Sequence, residues 1–278
     1  MKNLLILTLG LFFSLSMAQR HEIGIFAGGA NVIGDIGKSN YINPFPVSYG
    51  SEKLMDRVPF AIGAIYRFNF NPYMGVRFNG IFSRVVGSDA SAPEQYKKER
   101  NYAYKNNIIE GSLVFEYNLF DINDEHGRKH SPYIFGGVGA FMYDKPTYSV
   151  NTTFVRDDLG VIVQPETTQS ELISKTQKET NFTLPFGVGY KYKYRRSFVI
   201  SAEVGFRYTS TDNLDFSYAD ESDFTFTAEP GINEQDVNNI HSNIIKSRQV
   251  GNMSNSDWYV FTGITLTYTF GRPPCYCD

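Results

Sequence analysis

The chain has 278 residues, a formal net charge of −3 and four histidines, a near-neutral balance that gives no basis for nucleic-acid binding. Its 23 Phe and 19 Tyr stand against a single Trp, and glycine is frequent, a composition that favours strands. A mean hydropathy of −0.29 and the absence of any later run apolar enough for a transmembrane helix leave two classes: a soluble exported protein, or a membrane β-barrel with polar lumen and loops.

The first residues, MKNLLILTLGLFFSLSMAQR, read as a secretory signal peptide over 1–18. Lys2 is the positive start and Leu4 to Leu15 the apolar stretch, too short to span a membrane. Ser16-Met17-Ala18 then sets cleavage before Gln19. No cysteine follows Ala18, so no lipoprotein acylation site is read there.

From there the sequence alternates with period two. Less regular strands are expected over Ile23–Gly29 and Pro132–Tyr143, the latter apolar or Gly on both faces. Clean alternation runs from Phe60 (FAIGAIYRF), Met74 (MGVRFNGIF), Ile109 (IEGSLVFEYNL), Phe182 (FTLPFGVGYKY), Phe198 (FVISAEVGFRY) and Trp258 (WYVFTGITLTYTF). The total is eight strands long enough to cross a bilayer at a tilt. One face of each is apolar; the other carries Gly, Ser, Thr and Asn with scattered charges. That second face suits a narrow lumen rather than open water. The fold expected over 19–270 is therefore all-β, an eight-stranded antiparallel transmembrane β-barrel with long external loops.

Charges within such a lumen must pair, because an isolated buried charge is very costly. Arg67, Arg77 and Arg207 are expected to meet Glu110, Glu116 and Glu203 as filler of a small barrel rather than an ion path.

Connection lengths alternate. Short turns fall at Asn69–Tyr73, Phe120–Ser131 and Tyr194–Ser197, and long loops at about 31–57, 87–106, 145–181 and 211–256. With the N-terminus in the periplasm, every long loop lies outside the cell. In the fourth loop, Val237, Ile240, Ile244 and Ile245 recur at helical spacing behind a capping Asn233. They predict an amphipathic helix over 234–248, to lid the barrel, meet a partner or pack on its own loops. SELISKTQKE in the third loop predicts a shorter helix.

Chemistry-bearing motifs are weak. DINDEHG (Asp121–Gly127) places its glycine one position late for a calcium loop and lacks the closing Glu, so it reads as a solvated turn. His21, His126, His130 and His241 show no metal-ligand spacing. Asp157, Asp158 and His241 lie in loops without a nucleophile beside an oriented base. The reading is of a non-enzyme with no cofactor, no metal, no nucleic-acid partner and no small-molecule substrate.

The opening of the mature chain, HEIGIFAGGANVIGDIG, has His21-Glu22-Ile23-Gly24 starting a strand and Gly34-Asp35 ending it. This stretch and the closing TYTFGRPPCYCD resemble the PorG-type outer-membrane barrels of Bacteroidota, associated with type IX secretion. The resemblance implies a non-enzymatic component of that machine, contacting a periplasmic ring lipoprotein (PorK/GldK type) and its partner protein (PorN/GldN type). A surface barrel for adhesion or outer-membrane integrity is the alternative.

In either case the last strand runs down and leaves residues 271–278 as a periplasmic tail. Arg272 falls near lipid headgroups, and Pro273-Pro274 stiffens an extended arm. The arm presents Cys275, Tyr276 and Cys277 as the expected partner contact. The periplasm is oxidising. Three states of the two cysteines remain open: a strained internal bridge, unlinked thiols, or a bond to a neighbour such as the ring lipoprotein.

Overall fold

The computed structural model describes residues 20–38, 42, 58–124, 127–162, 168–195, 197–252 and 256–270. The predicted signal peptide and the whole tail lie outside these residues. Among the described residues no helix is long and apolar enough to cross a membrane, and crossing falls to strands.

Eight strands form a closed wall. They are β1 (Arg20–Ile33), β2 (Phe60–Asn69), β3 (Met74–Ser88), β4 (Ala103–Asn118), β5 (His130–Phe154), β6 (Thr168–Arg195), β7 (Phe198–Thr209) and, after the short β8 (Phe224–Ala228), β9 (Trp258–Phe270). Each wall strand pairs antiparallel with its neighbours, and β1 closes the ring by pairing with both β2 and β9. Closure leaves no free edge within the wall. The alternation has a direct cause: the pleat sends successive side chains to opposite faces. Ile25 (61% exposed), Val138 (60%) and Ile264 (58%) face outward, while Arg67, Arg77 and Glu116 are fully enclosed.

This arrangement inverts a water-soluble protein, with an apolar belt outside and charge within. It is the architecture of an outer-membrane β-barrel. Aromatic girdles bound the belt. At the short-turn end, His21 stacks among Tyr66, Phe68 and Phe270. At the other end, Trp258 sits edge-on to Phe186 and Tyr208.

The long-loop end differs from the sequence reading in three ways. The 87–106 loop is shorter than expected: β3 and β4 take up 87–88 and 103–106, leaving 89–102 as the connection, with a short helix α1 (Gln95–Arg100) inside it. The predicted helix over SELISKTQKE is instead part of β6, because each residue of that segment pairs with β5 across a long hairpin. A ninth strand, β8, runs parallel to β5 over Tyr148–Thr152. Beyond the wall, Asp144–Phe154 and Thr168–Phe182 therefore stand up as a tower, about 35 Å at the usual strand rise.

Helix α2 (Glu234–Ser247) forms where the periodicity placed it, and the Asn233 side chain caps it by accepting from the Gln235 amide at 3.0 Å. Its Ile244 and Ile245 pack on Tyr148, Val150 and Phe224 of the tower. Of the three roles considered for it, the structure shows packing on its own loops.

Candidate functional site

The barrel interior brings together Glu22, Glu110, Glu116, Glu203, Arg67, Arg77, Lys191 and Arg207, all nearly or fully buried. Their strands bring them in because each occupies an inward step of its pleat. Glu116 is the hub. Its carboxylate lies 2.6 Å from Lys191 Nζ, 2.7 Å from Arg67 Nε and 3.1 Å from Arg77 Nε. The two Nε approaches are contacts of charge rather than aligned hydrogen bonds. Arg67 also pairs with Glu22, and Arg77 with Glu203 at 2.5 Å.

Neutral donors complete the acids. Tyr133 donates to Glu203 at 2.6 Å, while Asn69 and Thr267 donate to Glu22 at 2.7 and 3.0 Å. A separate pair lies beside this cluster. Arg207 Nε meets Glu110 at 3.2 Å, and Tyr259 donates to the same carboxylate at 2.9 Å.

Three of the bases also lie over rings. Arg77 sits 4.9 Å from the centre of Phe135, Lys191 4.5 Å from Tyr133 and Arg207 4.3 Å from Phe261. Inward glycines make room for those rings. A side chain at Gly187 would strike Phe135, and one at Gly189 would strike Tyr133. The six charged residues singled out from sequence thus meet in one interior. Glu22 and Lys191 were not singled out. Lys191 alternates with Gly187 and Gly189, so its inward position was readable.

Residues 211–217 plug the long-loop end of the lumen. Leu214 is fully buried among Tyr104, Ile108, Phe141, Tyr143 and Tyr259. Asn106 Nδ2 donates to the Leu214 carbonyl at 2.9 Å. Two buried carboxylates fasten the plug to the chain around it. Asp257 accepts from the Leu214 amide at 2.9 Å, and Asp215 from the amides of Asp35 and Ile36 at 2.6 and 2.9 Å. Phe216 has a left-handed φ of 63°, unusual for a bulky side chain.

Asp212 stands in the same cluster. Among the described residues no base forms an ion pair with any of these three acids. Burial, with the Asp215 and Asp212 charges behind it, pushes Asp257 up to about 9. Burial and the charges of Asp215 and Asp35 push Asp212 up to about 7. Burial raises Asp215 also.

The remaining sequence candidates do not converge. Asp157 folds its own loop by accepting from the Leu159 and Val161 amides at 3.0 and 2.8 Å. His241 stacks on Phe226 at 3.9 Å and contacts Thr152 Oγ1 at 3.3 Å. Asp121 accepts from the Arg128 amide at 3.2 Å, as a turn residue does. Among the described residues no group of three His, Cys, Asp or Glu has the geometry to hold a metal. Arg272, Pro273, Pro274, Cys275, Tyr276 and Cys277 lie outside the described residues, as do Glu125 and His126.

The whole chain, residues 1–278, matches the family model described as "Domain of unknown function (DUF6089)". No curated protein matches. Similar solved structures include Ail, the attachment invasion locus protein of Yersinia pestis, in complex with the heparin analogue sucrose octasulfate. It is 12% identical, with 91% of this chain and 100% of that one covered and a TM-score of 0.40. The N-terminal β-barrel domain of Pseudomonas aeruginosa OprF is 8% identical, over 91% and 98%, with a TM-score of 0.39. Neisserial surface protein A is 10% identical, over 91% and 95%, with a TM-score of 0.37.

Proposed function

The chain belongs to the DUF6089 family, and from that premise we propose a non-enzymatic outer-membrane barrel that works through its two ends. In this reading it is a component of the type IX protein secretion machinery. Its short turns and its tail contact the periplasmic ring lipoprotein (PorK/GldK type) and its partner protein (PorN/GldN type). One observation carries the proposal: the lumen is filled by paired charges and aromatic rings and stoppered by Leu214. A barrel packed in this way offers surfaces rather than a passage.

The alternation of connection lengths supports the orientation, with short turns in the periplasm and long loops outside. The sequence of both chain ends supports the type IX assignment. Deletion of residues 271–278 tests it. The expected result is loss of ring recovery with a tagged barrel, together with reduced secretion of type IX cargo. Unchanged recovery and secretion overturn the anchoring role.

A second reading, adhesion or support of the outer membrane at the cell surface, draws on the tower. It projects well beyond the wall and presents Glu171, Lys175 and Lys178 on its exposed strand. Removal of the tower tip at 151–171 abolishes surface attachment under this reading and leaves secretion intact.

A further inference from the structure

At the short-turn end one sector differs from the rest of the rim. The β4–β5 turn and the end of β6 bring Arg128, Lys129 and Arg195 to the surface, all three exposed. The Lys193 amide donates to the Lys129 carbonyl at 2.6 Å, so the start of β5 lies directly against the end of β6. A register shift between Lys193 and Arg195 turns the last residues out of the regular pleat. By contrast, the β2–β3 turn, 70–73, carries no charge at all.

These cations sit on the aromatic girdle. Tyr190, Tyr192 and Tyr194 line the outer face of β6 and are half exposed. The Tyr190 hydroxyl meets His130 Nδ1 at 3.0 Å, and Phe120 packs edge-on against the same imidazole. Arg128 lies 4.3 Å over the Phe120 ring and Arg195 5.6 Å over Tyr194. A guanidinium over a ring face spends none of its N–H donors on that contact and keeps them for an oxyanion.

The nearby carboxylate of Asp121 is engaged with the Arg128 amide, and Lys193 turns inward to the Asp124 carbonyl at 2.5 Å. Among the described residues none of Arg128, Lys129 and Arg195 forms an ion pair with a carboxylate.

We propose that this sector is a binding site for the phosphate headgroup of an anionic phospholipid, with its acyl chains lying against the tyrosine ladder of β6. The inference rests on the membrane-barrel reading and adds a lipid class to it. Charge complementarity at the level of the girdle selects the occupant. Headgroups lie at that depth, and each cation near an anionic membrane surface attracts it. A zwitterionic phospholipid carries the same phosphate, but its own cation offsets the attraction.

The test uses full-length protein folded in mixed micelles containing phosphatidylglycerol or phosphatidylcholine, with retained lipids counted by native mass spectrometry. The wild-type barrel is expected to retain phosphatidylglycerol in preference to phosphatidylcholine on the order of tenfold. The preference should shrink at high salt, where exposed charges are screened.

The triple variant Arg128→Gln, Lys129→Gln, Arg195→Gln loses the preference. A control variant at the other end, Lys98→Gln, Lys175→Gln, Lys246→Gln, keeps it. Gel mobility before and after boiling confirms that both variants remain folded. Two outcomes overturn the site: a wild-type barrel without preference, or equal loss in the two variants. Insertion into pure phosphatidylcholine vesicles reads the barrel assignment separately, since failure to insert into any bilayer defeats that assignment and not merely the lipid class.

Discussion

Buried carboxylates occur at both levels of this barrel, and their surroundings are opposite. In the lumen, Glu116 is surrounded by three bases, and its neighbours Glu22 and Glu203 share them. At the plug, Asp215 and Asp257 face each other and Asp212, with backbone amides for partners and, among the described residues, no base in an ion pair. The first arrangement neutralises charge where no water helps. The second holds a loop by its backbone and leaves the acids repelling one another. The same side-chain chemistry makes a fixed wall filler in one place and a proton-sensitive fastening in the other.

The largest effect should come from removing the hub. Glu116→Gln leaves Arg67, Arg77 and Lys191 with one negative charge fewer among them. Breaking a buried pair in this way costs about 3–5 kcal/mol. Urea unfolding in detergent micelles, followed by gel mobility, reads the loss. Glu110→Gln should cost less, because it strands only Arg207. A Glu116→Gln barrel as stable as wild type would show that the lumen charges are not what fills and fixes the interior.

Truncation of the stopper comes next. Leu214→Ala removes a fully buried side chain, worth about 2–5 kcal/mol in a closed core. Here much of that should appear as local opening of the plug. Limited proteolysis is expected to cut within 211–217 in the variant while the wall strands stay intact. Cleavage spread over the wall would mean that plug and wall unfold together.

The acid cluster predicts a pH dependence of definite sign. The pKa values of Asp212, Asp215 and Asp257 are raised by folding, so the folded state binds more protons than the unfolded one at intermediate pH. Plug stability is therefore full below about pH 4, falls as pH rises through the folded values near 7 and 9, and levels off above them. Protease sensitivity of the plug, measured from pH 5 to 9, should rise across that range in the wild type. Asp257→Asn should flatten the slope. A slope unchanged in that variant would detach Asp257 from the effect.

Much of this was readable in the chain. Alternation located all eight wall strands and the inward position of six charges, because a pleated strand buried on one side writes its register into the sequence. The tower was not readable. SELISKTQKE sits on β6 only because β5 lies beside it over the whole hairpin, and that pairing is nonlocal. The five residues of β8 are too few to show a period and owe their strand to the edge of β5. Leu214 and Phe216 are two apolar residues in a polar loop, too few to show a period, and nothing around them announces that the mouth of the lumen is where Leu214 goes. Glu22 stands one residue before the strand expected over Ile23–Gly29, on the same inward face as Phe26.

The smallest effect separates the tower from the wall. Helix α2 packs on the satellite core of Tyr148, Val150 and Phe224 and, through His241, on Phe226 and Thr152, and Asn233 is its N-terminal cap. Asn233→Ala removes one hydrogen bond from the first turn, a change of about 1 kcal/mol. If tower and wall are independent units, amide exchange should quicken over 234–247 and over β8. Protection over the paired wall segments, such as 109–118 against 133–142, should stay constant. Faster exchange in both regions would mean that the long-loop end is part of the barrel's cooperative unit. In that case the acids of the plug would weaken the wall itself as pH rises, and the contrast between the two sets of carboxylates would be one of degree.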